Sequence, residues 1–180
     1  MEEHVDIQFV GPEAAEDVYR VTKLAFAAYT WLEPPSGALR ETLEDVRREL
    51  AHHGGVVARR DGRVVAAARF HPEQGYLRIR RVGVEPGEQN RGVGTSLMQK
   101  IAEAAATSGW REMRIGVRVL LPRNKRFYER LGYRRVALHH DAGSNRPHWW
   151  DMSLPLGPST EGTSAEPAPA VSASPPAPPS

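Results

Sequence analysis

Val82-Gly83-Val84-Glu85-Pro86-Gly87-Glu88-Gln89-Asn90-Arg91-Gly92-Val93-Gly94-Thr95 passes from a β-rich run into the first turn of an apolar-periodic helix. Such a joint suits phosphate. The first amides of a helix have no intrahelical partner and the helix dipole adds partial positive charge there, so a diphosphate can accept several backbone N–H bonds. Glycines at 92 and 94 let the chain approach a ligand closely. Taken alone, they are equally compatible with a tight turn that binds nothing.

Around this joint, strand and helix signals alternate. Tyr76 to Val84 reads as a strand, and Gly92 to Ser108 as a helix with Val93, Leu97, Ile101 and Ala105 four apart and Gly109 beyond its end. Arg111 to Val119 returns as a strand. Upstream, Val5 to Val10 is a short strand and Pro12 opens a helix with Ala14, Val18, Val21, Ala25 and Ala28 on one stripe. A second helix carries Leu39, Leu43, Val46 and Leu50 and stops at Gly54-Gly55. Asp61-Gly62, between Val56–Arg60 and Arg63–Phe70, is a two-residue hairpin signal. Downstream, Pro122 starts a short helix that ends at Gly132, and Tyr133–Leu138 and His148–Leu154 close the domain as strands. The expectation is a single mixed α/β domain over residues 1–156.

From Gly157 the composition turns to Pro, Ala, Ser, Gly and Thr without an aromatic residue, which predicts a disordered tail over 157–180. It includes Pro175-Pro176-Ala177-Pro178-Pro179, a candidate polyproline ligand as well as a solvated end. The tail carries Glu161 and Glu166 and no Lys or Arg, so the domain is more positive than the whole chain's +2. That suits an anionic ligand. The basic residues are scattered rather than clustered, so nucleic acid is not the expected partner. With no cysteine, thiolate metal sites and cysteine nucleophiles are excluded, and no metal is expected from the histidine spacing. No apolar run approaches the roughly 20 residues that span a bilayer, and Met1-Glu2-Glu3-His4 lacks a signal peptide's features, so a cytoplasmic location without membrane contact is expected.

Two other phosphate loops fail on single residues. Gly87 and Gly92 have P-loop separation, but Val93-Gly94 stands where Lys and Ser or Thr are needed. Leu97 occupies the third glycine position of a dinucleotide fingerprint. ATP hydrolysis and nicotinamide chemistry are therefore not expected.

Gln89-x-x-Gly92-x-Gly94 after Val84-Glu85-Pro86 resembles the coenzyme A pyrophosphate motif of the GNAT superfamily of N-acetyltransferases. Downstream, Asn124-Lys125-Arg126-Phe127-Tyr128-Glu129-Arg130-Leu131-Gly132-Tyr133 is similar to that superfamily's Asn-x-x-(Ala or Phe)-Tyr-Glu-x-Leu-Gly-(Phe or Tyr) segment. The ordered pair is far more specific than either part. The resemblance implies a mostly antiparallel central sheet, splayed at the acyl-coenzyme A site and flanked by about four helices, with acetyl-coenzyme A as donor and a primary amine as acceptor. A catalytically degenerate sensor of the acyl donor is the alternative, and the chain would act as a monomer or homodimer.

The resemblance also implies roles. The backbone of Val82 and Val84 would bind the pantetheine arm; Gln89, Asn90, Arg91, Gly92, Val93, Gly94 and Thr95 would cradle the pyrophosphate; Asn124 would contact the arm. Tyr128 would protonate the departing thiolate. Each has a plainer role as well: Val82 and Val84 as core, Arg91 as a solvated charge, Asn124 as a helix cap, Tyr128 as packing beside Phe127. The predicted strand Tyr76–Val84 has no carboxylate to act as base, leaving a water chain or an outlying group, with Glu73, His71, His139, His140 and His148 near strand ends. Arg78, Arg80 and Arg81 on that strand are unexpected, since alternation would put cations on both faces. They either line an open cleft, favouring an acceptor with an anionic group, or form structural ion pairs. His148-Trp149-Trp150-Asp151 could wall a pocket or serve as core and dimer surface.

Overall fold

The computed structural model describes residues 4–157, and the expected tail from Pro158 onward, with its polyproline segment, lies outside the described residues. The hairpin is where its turn chemistry placed it: Asp61 and Gly62 take φ of 50° and 78°, the two positive values that a tight two-residue turn demands. It joins β2 (Gly55–Arg60) to β3 (Arg63–Glu73), between β1 (Asp6–Val10) and β4 (Tyr76–Val84). β5 (Glu112–Arg118), β6 (Arg134–His140) and β7 (Pro147–Pro155) complete a seven-stranded sheet of order β1-β2-β3-β4-β5-β7-β6. Among the described strands, only β4 and β5 run parallel.

Four helices cover the sheet: α1 (Ala15–Phe26), α2 (Leu43–His53), α3 (Val93–Thr107) and α4 (Pro122–Arg130). α1 and α2 bury Val18, Val21, Val46 and Leu50 against Val57, Val64 and Ala67 on one face. On the other, Leu97, Ile101 and Tyr128 pack with Phe70, Leu77, Ile79, Met113, Ile115 and Met152. This period-two sorting of strand residues to two faces is what drives the three-layer arrangement. α2 begins later than its apolar stripe predicts. Thr42 and Asp45 form a reciprocal capping box that starts the helix at Leu43, leaving Leu39 in a 3-10 turn. No helix among the described residues is long and apolar enough to cross a membrane.

A bulge in β4 accounts for the three arginines. Leu77 and Ile79 face α3 and α4, as do Val82 and Val84, so the alternation slips between them. Arg81 absorbs the slip with φ of 53°, and the β3–β4 register shifts opposite it. Arg80 and Arg81 therefore both project to the α1/α2 side, where Glu49 and Glu41 meet them. Arg78 shares that side, so the expected conflict between faces does not arise.

Tyr133 is 2% exposed and makes ring contact with Tyr128 at 5.6 Å, yet its hydroxyl has no hydrogen-bond partner among the described residues. An unpaired buried hydroxyl is destabilising. Tyr133→Phe should leave stability unchanged or raise it by up to about 1 kcal/mol in urea unfolding; a clear loss would reveal a partner for that oxygen.

Candidate functional site

β4 and β5 pair only at Leu77↔Met113 and Arg78↔Arg114. Beyond that point they diverge, and a cleft of about 1330 Å³ opens between them. This exceeds the roughly 300–1,000 Å³ typical of a single small-ligand pocket, leaving room for a long ligand and a second one. Its walls are Arg80–Val84 of β4, Ile115–Arg118 of β5, the start of α3, one side of α4, Phe26 at the end of α1, and Tyr29 and Leu32 beyond it.

At the mouth, Glu85 anchors the glycine loop. It is 5% exposed, its N–H donates to the Val65 carbonyl at 2.9 Å, and its carboxylate accepts from Arg20 and Arg63. A 3-10 turn at Pro86–Glu88 follows, and the Gln89 side-chain amide donates back to the Val84 carbonyl at 3.1 Å. Asn90 and Gly92 are both left-handed, with φ of 61° and 79°, and swing the chain into α3. The first helical bond there runs from Ser96 N–H to the Gly92 carbonyl at 3.0 Å. The amides of Gly92 to Thr95 precede that ladder and sit at the positive end of the dipole. A Cβ on Gly92 would meet nothing within 4 Å, whereas one on Gly94 would lie 3.3 Å from Phe127 Cζ. Gly94 thus permits α3 and α4 to close on each other, and Gly92 faces open space.

Val82, Val84, Gln89, Asn90, Gly92, Val93, Gly94, Thr95, Asn124 and Tyr128 all line this one cleft. Arg91 does not; its guanidinium turns to Glu88 at 3.4 Å. Asn124 is not a cap, since Leu121 is the N-cap residue of α4 and no side chain bonds there. Tyr128 does pack as an aromatic, edge-on to Phe127 at 5.0 Å, and also reaches the cleft. Burial pushes its phenol pKa well up, with Tyr29 contributing, so the hydroxyl keeps its proton.

Behind the β4 arginines of the cleft wall stand residues whose role sequence spacing did not reveal. Arg69, on β3, is fully buried and bridges Glu41 and Glu49 at 2.6 and 2.5 Å. Those two acids also serve Arg81 and Arg80, at 2.9 and 3.4 Å. Burial opposes ionisation of Glu41, but Arg69 and Arg81 outweigh it and hold the carboxyl below its usual range. Arg78 pairs with Glu73 and with buried Asp151, which also meets Arg114. All three β4 arginines border the cleft and all three have acid partners.

Glu73 borders the cleft too, but its carboxylate accepts from Tyr76 Oη and Arg78 Nε, both at 2.6 Å. Although burial opposes it, these bonds lower its pKa, which makes it a poor base. Burial and the nearby Arg118 lower the pKa of His148, whose Nδ1 lies 3.1 Å from Asp141. His71, His139, His140 and His148 stand off the cleft wall, while Trp149 is on it, stacked on His139 at 3.7 Å and lying over Gly116. Trp150 instead packs on the α3/α4 core. Among the described residues, no group of three or more His, Asp or Glu is placed to hold a metal ion.

The overall architecture matches known structures. The ribosomal-protein-S18-alanine N-acetyltransferase of Escherichia coli superposes with a TM-score of 0.71 at 15% identity, covering 90% of this chain and 100% of that one. PaiA N-acetyltransferase of Thermoplasma acidophilum, solved in complex with coenzyme A, gives 0.70 at 14% identity over 84% and 99%. YncA of Salmonella typhimurium, solved with its cofactor acetyl-CoA, gives 0.65 at 18% identity over 92% and 99%. At these identities the likeness establishes the fold. No curated protein sequence matches the chain. The family model described as Acetyltransferase (GNAT) family matches residues 18–133, which contain both sequence motifs and the β4–β5 splay, and the chain belongs to that family.

Proposed function

We propose that this protein transfers the acetyl group of acetyl-coenzyme A to a primary amine on a small molecule or peptide. The observation that carries this is the convergence, on one cleft at the β4–β5 splay, of the glycine loop, the unpaired edge of β4, Asn124 and Tyr128. The residues fit such a donor. The amides of Gly92, Val93, Gly94 and Thr95 receive the pyrophosphate at the positive end of α3, with Asn90 shaping the turn and Gln89 tying it to Val84. Arg91, paired with Glu88, adds positive charge without entering the cleft. Along β4, the backbone groups of Val82 and Val84 hold the pantetheine arm, and Asn124 holds it from α4.

When bound, acetyl-coenzyme A supplies a thioester whose carbonyl carbon the amine nitrogen attacks, the C–S bond breaking as the thiolate leaves. Tyr128 gives its hydroxyl proton to that sulfur, and the proton that the attacking nitrogen sheds as the amide forms restores the phenol, so thiol and amide leave with Tyr128 unchanged; burial keeps the phenol protonated through the neutral range, so it is not the base there. The amine enters as its free base, its proton having gone to solvent, so the rate rises with pH through the amine's own pKa.

The loop assignment is tested with charge. Gly92 has a left-handed backbone, which Asn and Asp tolerate best, and open space beyond its Cα. Gly92→Asp should raise the acetyl-coenzyme A KM by about 100-fold or more by setting a carboxylate against the pyrophosphate, while the neutral Gly92→Asn changes it far less. Equal donor affinity in the two variants would contradict a pyrophosphate at this loop.

A further inference from the structure

Among the described residues, Arg118 is a half-buried cation of the cleft wall with which no carboxylate pairs. Arg118 closes β5 on the cleft wall, and its Nε is buried without a hydrogen-bond partner. No carboxylate lies within ion-pair distance of it among the described residues, although Arg78, Arg80 and Arg81 on the same cleft all have one. The acid that acts on it from nearby, Asp141, bonds Arg146 Nε through Oδ2 at 2.5 Å, while its Oδ1, 3.1 Å from His148 Nδ1, is buried without a hydrogen bond among the described residues and forms no ion pair with Arg118. A guanidinium cannot discharge by losing its proton, so a partly buried, unpaired one calls for an anion from outside.

Arg118 also points the right way. Met113, Ile115 and Val117 of β5 are buried towards α3 and α4, so Arg118 projects to the opposite side, directly across from its β7 partner Trp149. The glycine loop, Phe127 and Tyr128 approach from the α3/α4 side. An acceptor opposite the donor would lie over Gly116 and Trp149.

We propose that Arg118 recognises a carboxylate or phosphate on the acceptor, making the protein selective for amines that carry a nearby anionic group; this rests on the acetyl transfer proposed above. It moves acceptor recognition away from the β4 arginines, whose charge Glu41, Glu49, Glu73 and Asp151 already answer.

The test is calorimetric titration of the coenzyme A-loaded protein with matched amines: amino acids against their primary amides, and phosphoethanolamine against ethanolamine. Charge-assisted guanidinium bonds predict anionic members binding about 10- to 100-fold more tightly than neutral ones. Arg118→Met should bring that ratio to within about twofold and Arg118→Lys should keep part of it, with coenzyme A affinity unchanged in both. Equal binding, or no binding, of both members to the wild type overturns the proposal. So does a preference that survives in Arg118→Met, or a loss of coenzyme A affinity there, which would put Arg118 on the donor. If Arg118→Met does not fold, Arg118→Lys decides alone by whether the ratio falls. Because binding requires no turnover, an anion preference without thiol release counts against acetyl transfer and leaves the anion site standing.

Discussion

Tyr128→Phe should lower kcat by about 100-fold or more while leaving acetyl-coenzyme A affinity within about twofold. The substitution removes one oxygen. Tyr128 is 7% exposed and its ring is held between Phe127 and Tyr133, and phenylalanine keeps both ring contacts. What disappears is the proton offered to the leaving sulfur, whose conjugate acid has a pKa of about 8.5 as a free thiol. Two accompanying measurements separate this from damage to packing. Thermal melting should be unchanged within a few degrees, and thioesters with more acidic thiols, which leave without help, should lose less activity. The alkaline limb of the pH profile adds a check. Because burial raises the Tyr128 pKa, the wild type should show no fall in rate up to about pH 10, the ordinary tyrosine value. A fall near pH 8 would point to a different acid.

The second large effect is on stability. Arg69→Met should destabilise the fold by about 3 kcal/mol, a fall of roughly 10 °C in Tm for a domain of this size. Arg69 is fully buried and is the only residue that joins Glu41 to Glu49 among the described ion pairs. Without it, both carboxylates stay largely buried, each keeping a single weaker partner in Arg81 or Arg80. The sign of the pH dependence follows from Glu41, whose folded pKa lies below its usual 4.5. Its contribution is complete above that value and is lost as pH falls through the lowered one. The stability gap between wild type and Arg69→Met should therefore narrow in urea unfolding below about pH 4.5. A gap that is constant with pH would mean that Arg69 acts through packing alone.

How much of this was legible depends on how far apart the cooperating residues lie in the chain. The β4 boundaries, the Asp61-Gly62 hairpin and the α3 entry follow from signals within a dozen residues: alternation, a turn pair, glycines before a helical stripe. Donor-side positions share that locality, since Gln89 to Thr95 is one continuous loop and Asn124 and Tyr128 are one turn apart. The β4 bulge was not legible. The adjacent Arg80 and Arg81 signalled a conflict with alternation but not its solution, because the slip at Arg81 is held by Glu41, forty residues earlier in the chain. Arg69 was hidden for the same reason. It follows the apolar run Val64–Ala68, and its acids come from α2 and the segment before it. The side of the cleft proposed for the acceptor is assembled from the Tyr29–Leu32 segment, the end of β5 and Trp149 of β7, three stretches far apart in sequence. Arg118 itself gave no signal, because an arginine at a strand end is ordinary until it is seen that no carboxylate among the described residues pairs with it.

The most direct measurement is thiol release from acetyl-coenzyme A by the purified full-length chain, across a panel of primary amines with and without an anionic group, the acetylated amine being quantified by mass. Acetyl transfer at this cleft predicts release that requires an amine and matches product one to one. Binding of coenzyme A with no amine-dependent release would contradict it and favour a sensor of the acyl donor.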